Sequence, residues 1–225
     1  MINVKEIMTE LLKSRDLTTK TLKPYIRPVI RVIETYPIQD LLLKMQKEKI
    51  MEVIELCGKA GVGKDTFCRE LIKQLESKGK KCLHIAFADY LKFICKQYFG
   101  WDGKKDEKGR EMLQRIGTDM FRKKDQNFWV DIVCKFLTMC HQYHLFDYAI
   151  ITDARFPNEV ITLGAALQAR AYRIKRNNFV SRLSEEAQNH ESEIALDNFD
   201  MKEIILSGEL ENLPQEVEEF IEKCL

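Results

Sequence analysis

The stretch Ile50-Met-Glu-Val-Ile-Glu-Leu-Cys-Gly58-Lys-Ala-Gly-Val-Gly-Lys64-Asp-Thr66 decides the fold. Its first part, Ile50 to Cys57, is a short β-rich run, and three glycines follow it at once. Gly58 to Lys64 fulfils G-x-x-x-x-G-K, directly after a predicted strand and directly before a predicted helix. That helix is read from Phe67, Leu71, Ile72 and Leu75 between Thr66 and Glu76, with Gly79 where a helix-ending glycine belongs. In such a loop glycines let the backbone wrap closely around an anion, the amide N–H groups point inward, and the helix N-terminus adds positive potential. Gly58, Lys59, Ala60, Gly61, Val62, Gly63, Lys64, Asp65 and Thr66 are therefore candidate ATP-binding residues, with Lys64 reaching the β and γ phosphates. Asp65 stands where such loops usually carry Ser or Thr. The Mg²⁺ ligand is left between Asp65, directly or through water, and Thr66, which alternatively caps the helix while the nucleotide holds most of the metal.

Downstream, apolar runs alternate with helical patterns. Cys82 to Ala88, Tyr148 to Thr152, Ala171 to Lys175 and Glu203 to Leu206 read as strands, and Tyr90 to Tyr98, a stretch ending near Gln142, and a segment opened by Pro214 read as helices. Phe99 to Gly109 reads as a turn-rich charged connection, and Asn177 to Asn189 as a polar, aperiodic and mobile one. The alternation predicts right-handed βαβ units, hence an α/β P-loop NTPase fold with a parallel sheet flanked by helices and its ligands at the carboxyl ends of the strands. Upstream, apolar residues at near-helical spacing and Pro24, Pro28 and Pro37 predict a helical N-terminal appendage, residues 1–49, before a catalytic domain over 50–225.

Composition bounds the function. A chain of 225 residues with net charge +1, 45% hydrophobic and 32% charged residues, suits one generous soluble domain. Its balance of charge argues against a partner that is a nucleic acid polymer. No apolar stretch approaches membrane-spanning length, and no signal-peptide pattern opens the chain, so a cytoplasmic location is expected. Seven cysteines without a C-x-x-C pair suit reduced thiols. Cys140 and His144 share a helical face, but two ligands do not make a zinc site.

Asp153, ending the Tyr148 to Thr152 strand, has the position of a carboxylate that orients Mg²⁺ or its waters; a strand-end turn former is its plainer reading. Arg155 follows two residues on, and its planar fork suits a transferring or acceptor phosphate. Arg115 and Arg122, seven apart, fall on one face of an α-helix with Asp119, opposite Met112, Ile116 and Met120. Phe128 and Trp129 are either core or a stacking platform for a base.

With these residues in place the chain resembles the deoxynucleoside monophosphate kinase family of P-loop kinases, found notably in bacteriophages and other viruses. Gly63-Lys-Asp-Thr66, Phe87-Ala-Asp-Tyr-Leu-Lys92, Phe99-Gly-Trp-Asp-Gly103, Gly109-Arg-Glu-Met-Leu-Gln-Arg-Ile-Gly-Thr118, Ile151-Thr-Asp-Ala-Arg-Phe-Pro-Asn-Glu159 and His190-Glu-Ser-Glu193 occur in that family's order. The resemblance covers roughly residues 50 to 225. It implies ATP phosphates on Gly58 to Thr66, a nucleotide-contacting lid near Arg176 to His190 with Arg176 on ATP, and an acceptor among Asp89, Lys92, Arg115, Arg122 and Arg155, with Arg110 an alternative to Arg115. Trp129, read above as a stacking platform or core, is the further substrate-binding candidate. Tyr90 stands where the family has a proline. The implied reaction moves the γ-phosphate of ATP to a deoxynucleoside monophosphate, with Lys64, Asp153 and Arg155 as the catalytic set and Mg²⁺ on Asp65, Thr66 or Asp153. Alternatives are a kinase of a deoxynucleoside with Asp89 as base, and a nucleotide-dependent switch; a homodimer through the appendage would leave the chemistry unchanged.

Overall fold

The computed structural model describes residues 51–225 apart from Lys105 and Arg182; the helical appendage read over 1–49 lies outside the described residues. Strand β1 (Glu52–Cys57) is the middle of a five-stranded sheet in which every pairing is parallel. It lies between β3 (Tyr148–Ile151) and β4 (Arg170–Arg176), with Ile54 opposite Ile150 and Leu56 opposite Tyr172. Strands β2 (Cys82–Ile85) and β5 (Lys202–Leu206) close the edges in the order β2-β3-β1-β4-β5.

A central parallel strand must bury both faces, and the composition of β1 and β3 follows from that. On one face Ile54, Leu56, Ile150 and Tyr172 pack with Phe67 and Leu71 of helix α1 (Lys64–Ser77) and with Val217 and Phe220 of the C-terminal helix. On the other, Val53, Cys57, Ala149 and Ile151 pack with Val133 and Leu137 of one helix and Val160 and Leu163 of another. Burying each such aliphatic or aromatic side chain contributes about 1.5–3 kcal/mol. The remaining helices are α2 (Phe87–Tyr98), α3 (Glu107–Gln114), α4 (Phe128–Gln142), α5 (Pro157–Leu167), α6 (Glu185–Gln188), α7 (Glu191–Ile194) and α8 (Leu213–Cys224).

Three sequence expectations need correction. The connection from Phe99 ends earlier than Gly109, because Asp106 caps α3 by accepting the Gly109 N–H at 2.9 Å. Helix α3 then runs without a break into an eight-residue π-helix, Arg115–Arg122. Its wider turn, closed by i→i+5 hydrogen bonds, rotates each residue through less than an α-helix does. Residues seven apart therefore do not return to one face, and Arg115 is exposed while Arg122 turns inward. The segment read as aperiodic, Asn177 to Asn189, contains the short helix α6.

All seven cysteines are free, and burial pushes Cys57, Cys68, Cys82 and Cys140 up to about 12, so they remain thiols that act as small apolar side chains. Among the described residues no helix is long and apolar enough to cross a membrane.

Candidate active site

The loop between β1 and α1 takes its shape from glycine. Gly58 has φ +132°, and a Cβ there would lie 2.6 Å from the Ile174 carbonyl oxygen of β4, so no L side chain fits. Gly63, at φ +117°, stands before the first residue of α1 and is followed by Lys64 inside the helix. The Lys64 side chain turns back over the loop and donates to the carbonyl oxygens of Gly58 at 2.8 Å and Lys59 at 2.9 Å. It is 7% exposed. Burial, with Arg155 adding to it, brings its pKa down to about 8, against the opposing pull of Glu193 and Asp65.

Beside the loop, the chain leaves β3 through Asp153 and continues through Arg155 into α5. Asp153 accepts the N–H groups of Phe87 at 2.8 Å and Ala88 at 3.0 Å, so both carboxylate oxygens sit on the N-terminus of α2. Desolvation lifts its pKa to about 6 despite those two bonds. Asp153 thus fixes α2, the helix that carries Asp89 and Lys92. Those two are an exposed pair 2.9 Å apart, and Asp89 also accepts the Ala86 N–H.

Arg155 is divided between two glutamates. Its backbone N–H donates to Glu159 at 2.7 Å, and its guanidinium pairs with Glu193 of α7. Glu159 is 2% exposed and is the local hub. It accepts the Phe156 N–H at 3.1 Å and holds Arg122 at 2.6 Å, whose guanidinium carbon lies 4.1 Å from the centre of the Phe156 ring. Arg122, read from sequence as an acceptor-binding residue, is here a strut between the π-helix and α5.

Glu193 reaches further. Its carboxylate accepts the Ala60 N–H of the loop at 2.9 Å, while Lys59 donates to the Glu193 carbonyl at 2.6 Å and pairs with Asp197 at 2.7 Å. Gly58, Lys59, Arg155, Arg176, Phe179 and Glu193 are among the residues lining one cleft of about 400 Å³. Arg176 lies 5.0 Å from the ring centre of Phe179 there. A groove of similar volume, about 420 Å³, lies between β5 and α8, but it is bordered by none of the loop residues and is the lesser candidate for chemistry.

The other sequence candidates fall outside this cleft. Arg110 and Arg115 are exposed on α3 and the π-helix. Trp129 is 4% exposed, donates its indole N–H to the Gly117 carbonyl at 2.9 Å, and packs edge-on to Phe121, Phe128 and Tyr90. It is a core residue that pins the π-helix, and its ring offers no open face for a base. Asp65 is exposed in the first turn of α1, and the Thr66 hydroxyl accepts from Arg69 at 3.4 Å.

Three acids matter that the sequence reading gave no role. Glu159 and Glu193 each end a motif quoted above, and their signal was the acid itself, placed where nearby backbone N–H groups and arginines need an acceptor. Glu55 interrupts the apolar run of β1. It is fully buried, and among the described residues neither of its oxygens has a hydrogen-bond partner. Desolvation, with Glu159 and Asp153 adding to it, pushes its pKa up to about 8. Its carboxyl group is therefore mostly neutral at pH 7.

No family model matches the sequence. Over 65 residues, 28% of this chain, it is 42% identical to the UPF0053 protein YhdP of Bacillus subtilis (strain 168), and over 52 residues, 22% of the chain, 46% identical to the UPF0053 protein YhdT of the same organism. The chain spans 15% and 11% of the length of these two curated relatives. Among solved structures, a hexameric APS kinase from Thiobacillus denitrificans aligns over 92% of this chain and 36% of its own at TM-score 0.43 and 12% identity. A candidate kinase from Chloroflexus aurantiacus aligns over 79% of this chain and 99% of its own at TM-score 0.41 and 12% identity. Likeness at that level decides nothing, and the α/β P-loop fold stands on the strand order and loop geometry above.

Proposed function

We propose that the chain is an ATP-dependent phosphotransferase whose acceptor is a nucleoside monophosphate, preferentially the deoxy form. The observation that carries the phosphotransferase reading is the Gly58–Lys64 loop, with its glycine-only backbone, its buried lysine and Arg155 at the same cleft. The deoxynucleoside monophosphate acceptor rests on the ordered motifs from Gly63 to Glu193. A monophosphate oxygen is anionic at neutral pH, so no strong general base is required, and alignment and charge neutralisation dominate the barrier. In this reading Lys64 and the loop amides hold the β and γ phosphates, Arg155 bridges donor and acceptor, and Asp89 and Lys92 lie on the acceptor side.

Mg²⁺ fits this reading as an ion brought by the nucleotide, since among the described residues no three His, Cys, Asp or Glu side chains gather to hold one. Asp65 and Thr66 are the hard oxygen donors that would hold it, and when bound it offsets phosphate charge. Asp153 already accepts two amide hydrogens, and we assign it to positioning α2.

The test is ADP release from Mg-ATP with ribo- and deoxynucleoside monophosphates, the parent nucleosides, and no acceptor. Turnover that requires a deoxynucleoside monophosphate is expected. Turnover with nucleosides alone would move the acceptor role to an alcohol and make Asp89 its base; acceptor-independent hydrolysis alone would replace the kinase with a switch.

A further inference from the structure

Glu193 takes up donors of the kind an anion on this loop would use. An anion on this loop needs the inward N–H groups and a nearby arginine. The Glu193 carboxylate holds one of each: the Ala60 N–H at 2.9 Å and the Arg155 guanidinium. An N–H has one hydrogen to give. A carboxylate and a phosphate cannot both take it well, and two anions at that spacing repel.

The four residues of α7 that include Glu193 are lightly held, with the anchor of the segment at Leu196, which is buried in the core and whose carbonyl accepts from Arg173. Helix α7 is four residues long and buries none of them, and Ile194 is 45% exposed. Its ties to the loop are polar: Lys59 to the Glu193 carbonyl and the Ala60 N–H to the Glu193 carboxylate. Asp197, just beyond the helix, also pairs with Lys59, and Arg155 holds Glu193 from the end of β3. Segments with few buried apolar contacts open at low cost.

We infer that Glu193 is a resident competitor of the nucleotide, so that phosphate binding displaces α7 from the loop and transfers Arg155 from a carboxylate to a phosphate. The inference rests on the loop being a phosphate site, as proposed above. Two consequences follow from it. Before binding, the donors that Glu193 occupies are satisfied internally, and the cleft is selective against weak monoanions that cannot displace a carboxylate held by both Arg155 and an amide. On binding, the displaced Glu193 and Asp197 carry like charge to the phosphates, which keeps α7 away until product leaves. Apparent affinity is lowered by the fraction of molecules in which α7 covers the loop.

The experiment is calorimetric titration of Mg-ADP into the wild-type protein and into Glu193→Gln, Glu193→Ala and Lys64→Ala, with melting curves of each protein without nucleotide. Both Glu193 variants are expected to bind about three- to tenfold tighter, the scale of one charge-assisted contact no longer displaced, without any rise in melting temperature. Equal or weaker binding in both variants, with wild-type binding intact and lost in Lys64→Ala, would overturn the inference and leave the phosphate loop standing. Absence of Mg-ADP binding in the wild type would overturn the phosphate-site reading and the inference together. Should the variants fail to fold, hydrogen exchange on the wild type decides: residues 191–197 are expected to exchange faster with Mg-ADP, and unchanged or slower exchange overturns the inference.

Discussion

Two groups of charge part company at the end of β3, one entered through Asp153 and the other through Arg155. The inner group is Asp153, Glu159 and Arg122, whose partners come from helices α2 and α5 and the π-helix, together with Glu55, buried in the middle of the sheet without a hydrogen-bond partner among the described residues. The cleft group is Lys59, Arg155 and Glu193 with Lys64 buried against the loop beside them, where partners come from a glycine loop and a four-residue helix. Glu159 bonds into both, holding Arg122 and the Arg155 backbone N–H with the same carboxylate. The contrast separates arginines that look alike in sequence. Arg122 belongs to packing, because its partner is fixed and buried; Arg155 can exchange partners, because Glu193 sits on an element that buries nothing.

The sharpest way to break this division is to remove its two ends. Lys64→Ala is expected to lower turnover with Mg-ATP by about a thousandfold, on the scale of losing one preorganised electrostatic contact, while its melting temperature stays close to the wild type. Comparable turnover would take Lys64 out of the cleft group. Glu159→Ala is expected to cost about 3–5 kcal/mol of stability in urea titration, since it strands Arg122 and two backbone N–H groups; a loss under about 1 kcal/mol would mean that water replaces the carboxylate.

Glu55 gives the inner group a pH signature. Its folded pKa, about 8, is above the ordinary carboxylate value, so the native state binds the extra proton and stability falls as pH rises through that window. The fall approaches about 1.4 kcal/mol per pH unit between roughly pH 5 and 8 and levels off above. Glu55→Met should flatten that slope, as read by denaturant titrations across the same window. For the cleft the opposite partner titrates. Phosphate binding would restore the proton that Lys64 loses near pH 8, so Mg-ADP affinity is expected to fall above that pH, by up to about tenfold per unit. A flat profile would show that Lys64 stays charged.

The smallest effect is expected at Trp129→Phe, which removes the indole N–H from the Gly117 carbonyl. The expected loss is about 1–2 kcal/mol of stability, with the KM for a nucleoside monophosphate unchanged. A raised KM would restore Trp129 to the acceptor site.

The phosphate loop and the sheet were legible in the residues because each is a local statement. Gly58 to Lys64 carries its own geometry, and the apolar runs at Ile50 to Cys57 and Tyr148 to Thr152 announce strands buried on both faces by composition alone. The arginines were not legible in the same way. An α-helical period put Arg115 and Arg122 on one face, and the π-helix separated them. That turn is held by Gly117 closing against Leu91 and by the Trp129 indole, contacts between separate helices that no local period encodes.

Sequence alone thus determined the loop, its lysine and the strands that carry them, since these depend on backbone freedom and short-range hydrophobic patterning. Only the tertiary structure decided which acid meets which base. Glu193 finds Ala60 across 133 residues of chain and Arg155 across 38 residues. Burial and distance select such a pairing, and local spacing does not encode it.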